Sequence, residues 1–398
     1  MNVIRFGRIG LIKRNATHTK NIHRLLFNMA SREILKPYEP PAWAKHLKYL
    51  PTKRVSLACS NTPIHEWNLP GIPSDFSVSI KRDDLTGSTL SGNKVRKLEF
   101  LFADAIQKGC KHVITCGGIQ SNHCRAVAVA ARQLGLQPHL LLRGDLTDAG
   151  ELGCEGNVLL DRLCGAHIHL VPKFSPYLTK LKPRMEKLAA KIKSETGEDT
   201  YLIPVGGSNE VGVFGYINVF QELLEQGLAE RFDDLVFACG SGGTAAGLCI
   251  ANFLSGTGVR CHAVKVSDSA DYFHEHINQT LRDVGLDLEV KSEEIIDIVS
   301  GYKGIAYGVS TDEELGFLAE VSSTTGIMVD PVYTGKAVRG LVQELNKNPH
   351  RFKGRRVLFL HTGGIFGLFD GRMDAILKTE GSITDRIHLW PDPEGDPS

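Results

Sequence analysis

From Glu99 onward, short apolar runs alternate with stretches of helical periodicity, and each run closes on glycine or polar residues. Strands separated by whole helices lie parallel, because each helix returns the chain to the end where the strand began, and the helices then cover both faces of the sheet. The strand candidates are residues 112–116, 139–142, 167–171 and 201–204, with amphipathic helices beginning near Asn122, Gly156 and Tyr177. A second block repeats the pattern, with strands at residues 234–238, 260–266 and 356–361. The expectation is an α/β chain of two domains, each a mostly parallel sheet flanked by helices. Pro204-Val205-Gly206-Gly207-Ser208-Asn209 is the expected crossover, since glycine reaches the backbone angles such a connection demands.

The 398 residues carry a formal net charge of +1, so the whole-molecule field offers little to nucleic acid or to an acidic membrane. Small molecules are the expected partners. Residues 1–32 stand apart: they include Arg5, Arg8, Lys13, Arg14, Lys20, Arg24 and Arg32, and the first acid is Glu33. Their apolar pieces are broken by basic and polar residues, which excludes a secretory hydrophobic region and predicts a mitochondrial targeting peptide. A basic tail upstream of a start at Met29 is the alternative reading. No run approaches the roughly 18 to 20 apolar residues of a membrane span. The nine cysteines are odd in number and form no Cys-x-x-Cys pair, so a reducing compartment and no structural metal are expected. His123 beside Cys124 and the stretch of residues 268–276 lack ligand spacing and read as satisfied surface or helix histidines. Residues 391–398 read as a disordered tail.

Behind the strand candidate ending at Ala238 comes Cys239-Gly240-Ser241-Gly242-Gly243-Thr244, and then a helical run. Strand, glycine loop and helix make an anion site: small residues let backbone N–H groups converge, the helix start adds positive charge, and Ser241 and Thr244 add hydroxyls. The loop has no lysine, which argues against a nucleoside-triphosphate loop, and it lies mid-chain, which argues against a dinucleotide fold. A tight strand-to-helix turn remains the plain alternative.

Residues 80–99 end a strand, turn through polar residues and open a helix at Lys94. An ammonium there faces the positive end of the helix dipole, which favours the neutral amine that imine formation requires. An ordinary solvated lysine clustered with Arg96 and Lys97 is the competing reading.

This segment, with Gly117-Gly118-Ile119-Gln120-Ser121-Asn122 and Asp330-Pro331-Val332-Tyr333-Thr334-Gly335-Lys336, resembles the D-cysteine desulfhydrase and 1-aminocyclopropane-1-carboxylate (ACC) deaminase family over about residues 60–375. The resemblance implies the two-domain type II fold of pyridoxal 5'-phosphate (PLP) enzymes. A large PLP-binding domain would comprise residues 33–96 and 206–398, and a small domain residues 97–205. It further implies PLP carried as a Schiff base on Lys94, with its phosphate held by Gly240, Ser241, Gly242, Gly243 and Thr244, and with Asn122 against its ring oxygen. Gln120, Ser121 and Asn122 would grip the substrate carboxylate, Ser121 would also handle a proton, and Tyr333 and Tyr307 would line the pocket. A homodimer is implied as well. Ser91-Gly92 stands where Gly-Gly is common in the family, which bears on the backbone of that loop.

PLP acidifies the Cα–H of an amino acid, and a thiolate on Cβ is then expelled, so D-cysteine would yield pyruvate, hydrogen sulfide and ammonia. ACC has no Cα–H, and its ring must be opened with additional acid-base help. In the family's deaminases a Glu follows the pocket tyrosine and a Leu follows the later strand's His; here those positions are Thr334 and Thr362. A Glu would keep the pyridine nitrogen protonated, whereas a neutral hydroxyl gives a weaker electron sink that suffices for a good leaving group. The expectation is therefore a D-cysteine desulfhydrase, with ACC deaminase, an amino-acid racemase or a non-catalytic PLP-binding protein as rivals.

Overall fold

The computed structural model describes residues 34–145, 149–379 and 386. The expected targeting peptide and the tail at residues 391–398 lie outside the described residues. Strands β1 (Leu35–Pro37) and β2 (Lys53–Val55) pair as a short antiparallel ribbon. Strands β3 (Ile64–Glu66) and β4 (Ser77–Lys81) precede helix α1 (Lys94–Gln107). Next come β5 (His112–Gly118), α2 (Asn122–Gln133), β6 (Gln137–Gly144), α3 (Gly156–Leu163), β7 (His167–Pro172), α4 (Lys182–Thr196) and β8 (Thr200–Leu202). These four strands form an all-parallel sheet in the order β7-β6-β5-β8.

Helix α5 (Phe214–Glu225) leads into β9 (Asp234–Cys239), α6 (Gly243–Ser255), β10 (Arg260–Lys265), α7 (Ala270–Val284), β11 (Asp297–Val299), α8 (Asp312–Thr325), α9 (Thr334–Lys347) and β12 (Arg356–Leu360). With β3 and β4 they build a six-stranded sheet in the order β11-β10-β9-β12-β4-β3, parallel except for β3. Strand β9 is buried at all six residues, as a central parallel strand with helices on both faces must be. Helix starts follow local chemistry: Ser121, Ser269 and Thr311 each accept a backbone N–H with the side-chain oxygen, and Thr311 with Glu314 completes a capping box.

The helices α1 and α5 touch backbone to backbone, since a Cβ on Gly215 would lie 2.6 Å from the carbonyl carbon of Arg96. Around that contact Phe100, Phe214 and Phe220 are fully enclosed, each contributing about 1.5–3 kcal/mol by leaving water. The boundary expected between residues 96 and 97 falls inside α1, a continuous hydrogen-bonded helix. At the crossover, Gly206 and Gly207 take φ of +67° and +63°, the left-handed region that glycine enters without strain. All nine cysteines are unpaired, and six of them are buried.

Candidate active site

The carboxyl ends of β5, β9 and β12 all open on one cleft, the position where α/β sheets place ligands. Lys94 enters it as the first residue of α1. The loop ahead of it is pinned: Ser91 Oγ donates to the carbonyl of Asp84 at 2.8 Å, and the N–H of Gly92 donates to Thr86 Oγ1 at 2.8 Å. Of the pair Ser91-Gly92 only Gly92 takes a positive φ, of +105°, so serine at position 91 costs the backbone nothing and adds a tether. Burial pushes the Lys94 ammonium down to about 8, and the helix start acts in the same direction. Its amine makes no hydrogen bond or ion pair with the described residues.

The glycine loop forms the facing wall. Gly242 holds φ at +84° and caps α6, and a Cβ on Gly240 would sit 2.5 Å from Cε1 of Tyr333, so the ring lies directly on the loop. Asn93 Nδ2 donates to Thr244 Oγ1 at 3.0 Å, tying the lysine loop to the glycine loop across the cleft. Between them lies a cavity of about 430 Å³ lined by Lys94, Asn122, Gly240, Ser241, Gly242, Thr244, Tyr333 and Thr362. A second cavity of about 1470 Å³, open to solvent, shares Lys94, Gly240, Ser241 and Tyr333 and adds Ser121, His123, Arg143 and Tyr307. Lys94 thus stands where an inner pocket meets an outer one. The hydroxyls of Tyr307 and Tyr333 are hydrogen-bonded, their rings edge to face at 5.7 Å, and burial pushes both phenols above their ordinary value.

Three residues expected at the site line neither cavity. The Gln120 amide turns to α3, donating to the carbonyl of Glu155 at 3.1 Å and accepting the N–H of Asn157 at 2.8 Å, and lines neither cavity. Gly243 opens α6 against Ser208 and is not a wall. Thr334 is fully buried; its hydroxyl donates to Asp330 Oδ1 at 2.6 Å and accepts the N–H of Asp330 at 2.8 Å. In this structure the turn that starts α9 engages the Thr334 hydroxyl. His123 and His276 are also unlike satisfied surface histidines: each has a buried ring nitrogen without a partner.

Lys97, which sequence reading places in the cationic cluster of the competing reading and holds as the second choice for the Schiff base, is fully buried with Nζ unpartnered, and burial, with Lys94 next to it, pushes its ammonium well down. The signal was present as the i, i+3, i+7 stripe of Lys94, Lys97 and Leu101, which packs on Gly207 of the crossover. The buried Oδ1 of Asn122 likewise has no partner. Unsatisfied buried polar groups beside a glycine cradle are what a bound phosphate and a ring oxygen would satisfy, so the residues present fit PLP.

Comparison with known proteins gives the same reading. The model of the family described as pyridoxal-phosphate dependent enzyme matches residues 55–363. The bifunctional D-cysteine desulfhydrase/1-aminocyclopropane-1-carboxylate deaminase, mitochondrial, of Arabidopsis thaliana is 47% identical over 361 residues, covering 89% of this chain and 88% of its own length. A putative 1-aminocyclopropane-1-carboxylate deaminase of Thermotoga maritima is 40% identical over 79% of this chain and 97% of its own. The crystal structure of an ACC deaminase homologue superposes with a TM-score of 0.72 at 35% identity, covering 85% of this chain and 99% of that one. This chain belongs to the pyridoxal-phosphate dependent enzymes, in the branch that holds D-cysteine desulfhydrases and ACC deaminases.

Proposed function

We propose that this enzyme is a carbon–sulfur lyase that converts D-cysteine to pyruvate, hydrogen sulfide and ammonia. One observation carries the choice over ACC: among the described residues no carboxylate lines the inner cavity. The nearby acid, Asp330, is saturated by the N–H groups of Val332, Tyr333 and Thr334 and by the Thr334 hydroxyl. A pyridine nitrogen in this cavity would find neutral groups such as Thr362, and the weaker sink that results would suit expulsion of a thiolate better than opening of a carbon ring.

PLP, when bound, draws electron density from the substrate's Cα. Lys94 would hold the cofactor, with Gly240, Ser241, Gly242 and Thr244 available to its phosphate and Asn122 to its ring oxygen. Lys97 adds a buried amine one turn along the same helix. The substrate carboxylate sits at the start of α2 on Ser121 and Asn122, where helix-terminal N–H groups favour an anion, and Gln120 braces that turn through Asn157. Lys94, with its amine free, would take the Cα proton, and Ser121 in the same cavity would offer a second proton-handling hydroxyl. Tyr333 and Tyr307 wall the sulfur end.

The test is to incubate the purified protein separately with D-cysteine, L-cysteine and ACC while measuring sulfide and keto acid. Sulfide with pyruvate from D-cysteine is the expected result. 2-Oxobutyrate from ACC with no sulfide from D-cysteine would overturn it. The reading extends to a small-sheet and a large-sheet domain joined at the ends of α1 and at residues 204–209, to a homodimer, and to mitochondrial import. The cationic residues 1–32 and the mitochondrial name of the Arabidopsis relative support import, and fusing residues 1–32 to a reporter tests it.

A further inference from the structure

The outer cavity contains a cation that neither the fold nor the roles above employ. Arg143 lies near the end of β6, and its register partner across the sheet is Gly118 on β5. Paired residues of neighbouring strands project to the same face, and a Cβ on Gly118 would meet nothing within 4 Å. The glycine therefore leaves room for the arginine arm to reach the cavity, which it lines. There the half-buried guanidinium makes no hydrogen bond or ion pair with the described residues, and it cannot shed its proton. Tyr307, Tyr333 and Tyr272 line the same cavity. Lys303 adds a second cation to the lining, against Asp268 as the one carboxylate among its described residues. A permanently charged, unpartnered group facing a positive pocket calls for an anion. The α-carboxylate already has the helix start at Ser121, so the anion left for Arg143 is a second one.

We propose that Arg143 forms an anion subsite for the β-substituent of the substrate, and so stabilises a departing thiolate, which needs that charge more than a halide does. The proposal rests on the lyase reading and deepens it. As the Cβ–S bond breaks, its electron pair stays on sulfur; the departing thiolate takes the charge, and Arg143 holds it beside the hydroxyls of Tyr307 and Tyr333. A proton from solvent then completes hydrogen sulfide.

Two ligands without an amino group, succinate and butyrate, probe the subsite in the holoenzyme by calorimetry without reacting. Wild type is expected to bind succinate about tenfold or more tighter than butyrate; Arg143→Gln should remove that preference and hold butyrate within about twofold, with Arg143→Lys intermediate. A second arm compares leaving groups: Arg143→Gln should lower kcat/KM for D-cysteine by about thirtyfold but for β-chloro-D-alanine, whose chloride departs unaided, by less than about threefold. A preference for succinate that survives in Arg143→Gln, or equal losses for both ligands or both substrates, overturns the subsite. Wild type that binds succinate selectively but releases no sulfide from D-cysteine overturns the lyase reading and leaves the subsite standing. Unfolding temperature of each variant, measured alongside, separates loss of the anion site from loss of the fold, and Arg143→Lys supplies the folded charged control.

Discussion

An amine at the first position of a helix is disfavoured as a cation by the helix dipole, and at Lys94 burial disfavours it again, bringing it down to about 8. A depressed lysine gains its neutral, nucleophilic form as pH rises through that value. At pH 7 about a tenth of it is neutral, roughly three hundredfold more than for an unperturbed lysine. Reloading of PLP onto the apoenzyme, followed by the visible absorbance of the lysine-bound cofactor, should therefore speed up with an apparent midpoint near 8. A midpoint near 10 would remove the argument, and Lys94→Ala should show no such band. Gly240 invites a second test, since a Cβ there lands 2.5 Å from the Tyr333 ring. Gly240→Ala should weaken PLP binding at least about tenfold while moving apoenzyme stability by less than about 1 kcal/mol. At this scale the motifs made Lys94, Asn122 and the glycine loop legible. Thr334 and Lys97 were not, because side-chain direction within a turn or a helix depends on which neighbour claims the polar atom, and sequence spacing alone does not record that.

Among the elements, the seven strands expected from apolar runs are all present, whereas β1, β2, β3 and β11 escaped notice. Each of those four spans three residues, too short for any period to emerge, and each lies at a sheet edge or in the two-stranded ribbon. The small sheet carries a consequence that apolar patterning hides. His112, His139, His167 and His169 come together across β5, β6 and β7: His112 Nδ1 is 3.0 Å from His139 Nε2, and the His139 ring stacks on His167 at 4.5 Å. Burial pushes His139 down to about 3, with the neighbouring His167, His112, His169 and Arg132 adding to the effect, and burial also lowers His169. Each is held neutral in the folded state, while in the unfolded chain it would protonate near 6.5. Stability from these groups is complete above about pH 6.5 and is lost as pH falls toward 3. Urea-derived stability should drop over that window by on the order of 1–3 kcal/mol, and His139→Phe should flatten the slope by about one proton. An unchanged slope in that variant would assign the acid lability elsewhere.

Across the whole molecule, the lysine helix is fixed to the larger sheet by a buried ionic network. Arg96 on α1 pairs with Asp83 at 2.9 Å and with Glu222 of α5 at 3.0 Å, and Glu222 also pairs with Lys81 at the end of β4. Tyr216 and Thr62 donate hydroxyl hydrogens to the two Asp83 oxygens, both at 2.9 Å. Every member is nearly or wholly enclosed. Such a network gives little net stability over an apolar core, yet removing one partner strands a buried charge, at a cost of roughly 3–5 kcal/mol. What it supplies instead is position. The strand β4, the loop that presents Lys94, and the α1–α5 pair meet at these charges, so their geometry sets where the amine stands relative to the glycine loop behind β9. Glu222→Gln leaves Lys81 and Arg96 with Asp83 alone, and should lower the urea-derived stability by about 3 kcal/mol or more. Because the damage reaches the site through α1, PLP affinity of the still-folded variant should fall as well, by about tenfold, while the salt dependence of unfolding stays close to that of wild type, as buried pairs are little screened. Loss of stability with cofactor affinity intact would show that the network holds the fold together without setting the position of Lys94.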